Sequence, residues 1–150
     1  MSIEKDIKST ISLPESRKAI INLIYTTNWI KEQLIQNLKP FDISMEQYNV
    51  LRILRGQKGN PANLCTIQER MINKMSNTTR LVDKLIKKNL VTRQQCEMNR
   101  RKVEIFITTN GLQLLSEIDI ILDQNEPIIT GNLPDNELQQ LNILLDKLRS

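Results

Sequence analysis

The spacing of the apolar residues changes within one short stretch, from the period of a helix to the period of a strand. Residues 76–91, "SNTTRLVDKLIKKNLV", have the apolar period of a helix. The core-facing residues of that helix are Leu81, Val82, Leu85 and Ile86. Further on, "LVTRQ" and "KVEIFIT" read as two strands, and the polar, basic segment "QCEMNRR" between them predicts a hairpin tip. A helix that leads directly into a two-stranded ribbon leaves the chain few possible folds.

Two further helices are predicted before this one. In "SMEQYNVLRILRG", Ser44 and Gln47 have the spacing of a capping box, and the helix should end near Gly56. Residues 66–74, "TIQERMINK", predict a short helix capped by Thr66, with Cys65 on a short strand before it. The turn to the next helix is short, so the two helices should cross steeply. Helix, turn, helix and ribbon together predict a winged helix-turn-helix.

Long apolar helices are predicted at both ends of the chain. Residues 15–38 predict a helix with a wide apolar stripe. Residues 110–150 predict two more helices, separated by "GNLPDN". Stripes this wide suggest burial against a second subunit. The predicted fold is mainly α with a small β-wing, as one domain over 1–150. Its winged helix-turn-helix lobe covers 44–109, and its N- and C-terminal dimerisation helices cover 15–38 and 110–150.

Composition argues against several classes of protein. The 150 residues include no His and only two Cys, so the usual hydrolase triads and metal sites lack their residues. We therefore expect no enzyme, no metal and no cofactor. No apolar run approaches 18 residues, the N-terminus lacks a secretion signal, and cysteines are few, so a cytoplasmic protein without a membrane span is expected.

Charge is concentrated in the middle of the chain. Residues 70–102 carry ten cations and two anions, a net charge of +8, whereas the whole chain carries +4 and the remainder therefore −4. This asymmetry favours a surface that faces a polyanion. The same charge would also fit a solvated face, or a protein-interaction module that uses the basic surface to bind an acidic partner.

The start of the helix at residues 76–91 is built from poor helix formers. Asn77, Thr78 and Thr79 precede Arg80, and Ser76 is the expected N-cap. Short polar side chains let a helix N-terminus approach DNA closely, and Arg80 has the geometry to bind a guanine edge. For Thr78, inward packing is an equally good interpretation.

Several cations of this region have simpler interpretations than a DNA contact. Lys87 and Lys88 near the helix end are expected to complement the helix dipole. Arg93 is expected to be an ordinary exposed strand residue. The simpler interpretation of Arg100 or Arg101 is a solvated residue of a hairpin tip. Their position beside the predicted recognition helix favours DNA contact for both.

The segments "NTTRLVDKLIKKNLVTR" and "NRRKVEIFITTNG" resemble the MarR family of regulators, and the resemblance extends from about Ser44 to Gly111. It implies a homodimeric repressor that binds a pseudo-palindromic double-stranded DNA site. The recognition helix would enter the major groove and a wing arginine the minor groove. The implied DNA contacts are Ser76, Asn77, Thr78, Thr79, Arg80, Lys84, Asn99, Arg100, Arg101 and Lys102. Asn99 stands where the family usually has an Asp whose carboxylate holds an arginine in place. The side chain at this position is neutral here, unless Glu97 takes over the role of the Asp.

The resemblance also implies a small-molecule effector that releases DNA. Its pocket would lie between the dimerisation helices and the DNA-binding lobe. The candidate lining is Tyr25, Trp29, Met45 and Tyr48, unless these side chains are buried in the core. Residues 15–38 contain no cysteine of the kind some relatives use to sense oxidants. Cys96 lies near cations but is better interpreted as structural, and Cys65 is expected to be packed.

Overall fold

Helices dominate the computed structural model, which describes residues 2–150. In chain order the elements are α1 (Ile3–Asp6), α2 (Glu15–Leu38), a 3₁₀ turn (Lys39–Phe41), α3 (Met45–Arg55), α4 (Leu64–Arg70), α5 (Thr78–Lys87), β1 (Val91–Gln95), β2 (Val103–Ile107), α6 (Thr109–Thr130) and α7 (Asp135–Arg149). The mainly α fold with a small β-wing is confirmed. None of the described helices combines the length and the apolar character needed to cross a membrane.

The chain forms two compact units, one ending at Gln36 and the other running from Asn37 to Ser150. In the first unit, Glu4 ties the N-terminal segment together. Its carboxylate accepts a hydrogen bond from the Leu13 N–H at 3.2 Å and lies 3.3 Å from Lys18 Nζ. The Leu13 N–H, followed by Lys18, lowers the pKa of Glu4 below its usual value.

The core of the second unit is formed where α3, α4, α5 and α6 meet the β ribbon. Its most completely buried side chains are Val50, Leu51, Leu54, Ile67, Met71, Val82, Leu85, Val91, Ile105, Leu115 and Ile118. Each such side chain contributes roughly 1.5–3 kcal/mol through its removal from water. Val82 and Leu85 confirm the predicted inner face of α5. One face of α5 is therefore fixed to a packed scaffold.

Helix α3 begins with the predicted capping box. The Ser44 hydroxyl accepts the Gln47 N–H at 3.1 Å, and the Gln47 side chain accepts the Ser44 N–H at 2.9 Å. At the other end of α3, Arg55 donates two hydrogen bonds to the Asp119 carboxylate on α6, at 2.5 and 3.3 Å. These bonds raise the pKa of Arg55 further, and they link α3 to α6.

The ribbon pairs β1 with β2 antiparallel, from Val91 opposite Ile107 to Gln95 opposite Val103. Ala62 adds one more bridge, because its N–H and C=O both bond Ile105, at 3.0 and 2.8 Å. After β2, the Thr108 hydroxyl donates to the Asn89 carbonyl at 2.8 Å and accepts the Gly111 N–H at 3.1 Å. The base of the wing is thus bonded to the turn that follows α5 and to the start of α6.

The predictions of the bounds of α4 (residues 66–74), of its cap and of the place of Cys65 are wrong. The helix spans Leu64–Arg70, and its cap is Asn63, whose side chain accepts the Thr66 N–H at 2.8 Å. Thr66 therefore lies inside the first turn. Cys65 is also on α4 and is exposed, not packed on a strand. Asn and Thr are both good caps, and here the bridge at Ala62 fixes the chain so that Asn63 reaches the helix start first.

Candidate nucleic-acid interface

Asn77 caps α5, the predicted recognition helix. Its side-chain oxygen accepts the Arg80 N–H at 3.1 Å. The prediction that Ser76 is the N-cap is therefore wrong. The Ser76 N–H bonds the Asn73 carbonyl at 3.1 Å, so this residue closes the preceding turn. Its hydroxyl oxygen is buried and has no hydrogen-bond partner among the described residues.

Side-chain amides hold the turn between α4 and α5. Asn49 on α3 accepts the Ile72 N–H at 2.8 Å, and Asn73 accepts the Met75 N–H at 3.0 Å. Gln68 on α4 donates to the Lys74 carbonyl at 2.9 Å. These bonds substitute for the regular structure that the turn lacks. Sequence reasoning missed Asn49 and Gln68, and the only available signal was the number of amide residues around the turn.

Thr78 connects α5 to α4 instead of facing outward. Its side chain is 6% exposed, and its hydroxyl donates to the Gln68 side-chain oxygen. The Gln68 side-chain amide therefore donates through its nitrogen to the turn and accepts through its oxygen from the first residue of α5. The Thr78 hydroxyl is therefore occupied within the fold. Of the two interpretations of this residue, its burial supports inward packing.

The outer face of α5 carries exposed polar residues and cations. Thr79, Arg80, Lys84 and Lys87 are exposed. In the part of the chain that the structure describes, none of these three cations forms a salt bridge. Lys88, by contrast, lies 3.2 Å from the Asp42 carboxylate. The free positive charge of α5 thus lies along one face, and Lys88 contributes to holding the helix end.

Arg93 joins the wing to the recognition helix. Its guanidinium lies 2.9 Å from the Asp83 carboxylate, which is the only anion of α5. Arg93 is exposed on β1, as predicted, and the salt bridge is a contact that the sequence did not predict. Because Asp83 is engaged by Arg93, it neutralises none of the cations on the outer face. The pair also fixes the strand β1 relative to α5.

The wing tip presents three more cations. Arg100, Arg101 and Lys102 are exposed, and no described residue forms a salt bridge with them. Asn99 accepts the backbone N–H of Arg101 at 3.1 Å, so its side chain shapes the loop and does not brace a guanidinium. Glu97 pairs with none of these cations in residues 2–150.

The four candidate effector residues lie on two helices. Tyr25 and Trp29 are exposed on α2, whereas Met45 and Tyr48 are half-buried on α3. The Arg52 guanidinium lies over the Tyr48 ring, 5.8 Å from its centroid. Burial raises the pKa of Tyr48 above its usual value.

Cys65 has the opposite of the environment that activates a thiol. Its Sγ lies 3.4 Å from the Glu69 carboxylate, and this hydrogen bond, with the negative charge, raises the pKa of Cys65. A raised pKa lowers the thiolate fraction and hence the reactivity. Cys96 is half-buried just after β1 and is also a free thiol.

A helix-turn-helix whose second helix packs on the core by one face and carries unpaired cations on the other, followed by a basic two-stranded wing, defines a winged helix-turn-helix protein. The model of the MarR family matches residues 43–103, which span this lobe from α3 to the wing. A MarR transcription factor from Planctomyces limnophilus is 31% identical over 91% of this chain and 97% of its own, with a TM-score of 0.68. The chain therefore belongs to the MarR family of transcription regulators.

Two other solved structures are similar. A mutant of MarR from E. coli complexed with operator DNA is 25% identical over 92% of this chain and 99% of its own, with a TM-score of 0.77. BpsR from Bordetella bronchiseptica, whose DNA binding is regulated by 6-hydroxynicotinic acid, is 20% identical over 85% of this chain and 90% of its own, with a TM-score of 0.76. The likeness to BpsR is one of fold.

Proposed function

We propose that this protein is a sequence-specific repressor that binds a pseudo-palindromic operator as a homodimer. The two α5 helices enter successive major grooves, and the wing arginines reach the flanking minor grooves. One observation carries this proposal: Arg80 and Lys84 on α5 and Arg100, Arg101 and Lys102 on the wing are exposed and unpaired among the described residues. The E. coli relative bound to operator DNA supports the choice of partner.

The residues of this surface have different roles in the proposal. Arg80 offers a planar fork that matches a guanine edge, and Lys84 neutralises a phosphate. The Asn77 oxygen already accepts the Arg80 N–H, so its amide nitrogen is the group available to donate to DNA. Thr79 supplies a short hydroxyl in the first turn. At the wing, a narrow minor groove attracts the arginines electrostatically.

The homodimer rests on apolar surface that a single chain leaves uncovered. On α2, Ile20 and Ile24 are each 59% exposed, and on α7 Leu148 is 66% exposed. No residue of α7 is buried. An amphipathic helix gains most of its stability by burying its apolar face, so these helices are expected to do so against a second copy.

Substitution of two arginines tests the DNA-binding surface. We expect Arg80→Ala to weaken binding to the selected duplex by about 1–3 kcal/mol and to relax the preference at one base pair. Arg101→Ala should weaken binding to all sequences and make its dependence on salt less steep. Arg17→Ala removes an exposed cation from α2 and serves as the control.

The readout is the dissociation constant of each variant, measured by fluorescence anisotropy over a range of salt concentrations. If wild-type protein shows no preference among duplexes, and the arginine variants match Arg17→Ala, DNA is not the partner. Binding of an acidic protein through the same surface, lost in Arg80→Ala, would then replace the proposal.

A small-molecule effector that releases the DNA is the second part of the proposal. The regulation of DNA binding in BpsR by 6-hydroxynicotinic acid supports an effector of this kind. Trp29 is the only tryptophan of the chain, so its fluorescence reports on effector binding near this part of α2. We expect an aromatic acid that releases DNA to change this fluorescence, with Trp29→Phe as the blank. Release of DNA with no change in the fluorescence of Trp29 would contradict the proposed role of Trp29 in effector binding.

A further inference from the structure

The wing tip carries a fully exposed apolar side chain that folding does not explain. Among the described residues, the three most exposed large apolar side chains are Met98 at 95%, Met75 at 93% and Ile72 at 83%. Ile72 and Met75 lie in the turn before α5, and Met98 lies at the tip of the wing. A side chain that buries almost no area contributes almost nothing to the stability of the chain. Met98 therefore has no packing role to account for it.

Backbone hydrogen bonds give the tip a defined shape. The Cys96 N–H bonds the Lys102 carbonyl at 2.9 Å, which closes the loop at its base. Within the loop, the Asn99 N–H bonds the Cys96 carbonyl at 3.2 Å, and the Lys102 N–H bonds the Asn99 carbonyl at 2.9 Å. Two chain reversals thus follow one another. The first contains Glu97 and Met98, and the second contains the two arginines.

The charge of the tip directs it towards DNA. Residues 97–102 carry three cations against one anion, a net charge of +2. A loop that the phosphates attract in this way brings Met98 to the same groove as Arg100 and Arg101. In that groove an exposed methionine has two possible positions: along the sugars, or between two bases.

We propose that Met98 is a specificity-determining residue of the operator complex, inserted as an apolar wedge at a base step in the flanking minor groove. This inference rests on the proposed function. Methionine is flexible and unbranched, and it is one of the residues that open base steps from the minor groove. Pyrimidine–purine steps unstack most easily. Met98 therefore selects deformable steps, above all TpA, at positions where no base edge is read by a hydrogen bond.

The test uses the duplex recovered by selection from a random pool, with its flanking step changed from TpA to ApA. We expect wild-type protein to bind the TpA duplex about tenfold more tightly, which is at the lower end of the effect of one base pair. In Met98→Gln, which keeps the length but not the apolar character, this ratio should fall to about one. Met75→Gln is the matched control, because it is an equally exposed methionine in the same lobe but outside the wing, and it should keep the ratio.

A second readout detects insertion directly. With 2-aminopurine placed at the flanking step, unstacking should raise its fluorescence when wild-type protein binds, but not when Met98→Gln binds. In one contradicting outcome, wild-type protein still binds the selected duplex specifically, but its affinities for the TpA and ApA duplexes are about equal and the 2-aminopurine fluorescence is unchanged. This outcome would overturn the wedge and leave the proposed function intact. Equal behaviour of Met98→Gln and wild type in both readouts would also overturn it. Recovery of no specific duplex by wild-type protein would instead contradict the proposed function, and the wedge with it.

Discussion

Apolar residues form a buried core in the winged helix-turn-helix lobe but an exposed stripe on helix α7. In the lobe, Leu51, Leu85 and Ile105 are completely buried, and each lies on a different element. On α7, Leu141, Leu144 and Leu148 are between 41% and 66% exposed. The apolar core of the lobe is complete within one chain, whereas the apolar stripe of α7 is exposed in a single chain.

This difference separates what a single chain can do from what a dimer adds. The lobe holds α5 and the wing in position through its core, the Asp83–Arg93 pair and the amides around the turn. In the proposed dimer, the terminal helices would set the distance between two such lobes. One half-site would then be read by each lobe, and the palindrome by the pair.

The largest expected effect comes from the core of the lobe. Leu54 on α3 is 1% exposed, so Leu54→Ala should lower the free energy of unfolding by about 3 kcal/mol. Urea denaturation at two protein concentrations measures it, and the loss should be the same at both. A loss that grows on dilution would mean that the lobe depends on the partner chain, and the comparison would fail.

Gly111 tests how tightly α6 packs on the lobe. A Cβ at this position would lie 2.4 Å from the Leu90 carbonyl oxygen and 2.7 Å from Ile107 Cγ1. Because backbone must move to relieve this clash, Gly111→Ala should destabilise the protein by roughly 1–3 kcal/mol. At Gly56 the nearest atom would be 3.3 Å away, so Gly56→Ala serves as the control in the same thermal melts. Similar melting temperatures for the two variants would show that the start of α6 is loosely packed.

The smallest change in the stability of a single chain is expected for a substitution on α7. Leu144 is 52% exposed, so Leu144→Ala should change the free energy of unfolding of an isolated chain by less than about 0.5 kcal/mol. The same change should weaken the dimer, which sedimentation velocity on dilution would reveal. Asn142→Ala, almost opposite on the helix, is the control. An unchanged dimer in Leu144→Ala would show that the exposed stripe of α7 is not the interface.

Much of the lobe was predictable because its local patterns are strong. The capping box of Ser44 and Gln47, the inner face of α5 at Val82 and Leu85, and the two strands all follow from short-range spacing. The caps at Asn63 and Asn77 were harder to predict, since Asn, Ser and Thr are all common N-cap residues. Contacts made elsewhere in the fold decide between neighbouring candidates. For α5, the bond between Thr78 and Gln68 sets where the helix begins.

Side-chain pairs between elements were the hardest part of the site to predict. Asp83 and Arg93 lie on a helix and a strand, and Asn49 binds a backbone N–H 23 residues away. No periodicity connects such positions. The exposed cations, by contrast, were visible as a local excess of charge, because solvated residues need no partner to be recognised in a sequence.

Selection of bound duplexes from a random pool tests the central claim most directly. The claim is that two lobes, held by the terminal helices, read one operator. It requires a palindromic consensus with half-sites about one helical turn apart, and binding that weakens steeply as salt rises. Recovery of a single half-site would contradict the dimer, and recovery of no consensus would contradict the assignment of α5 and the wing to sequence-specific DNA binding.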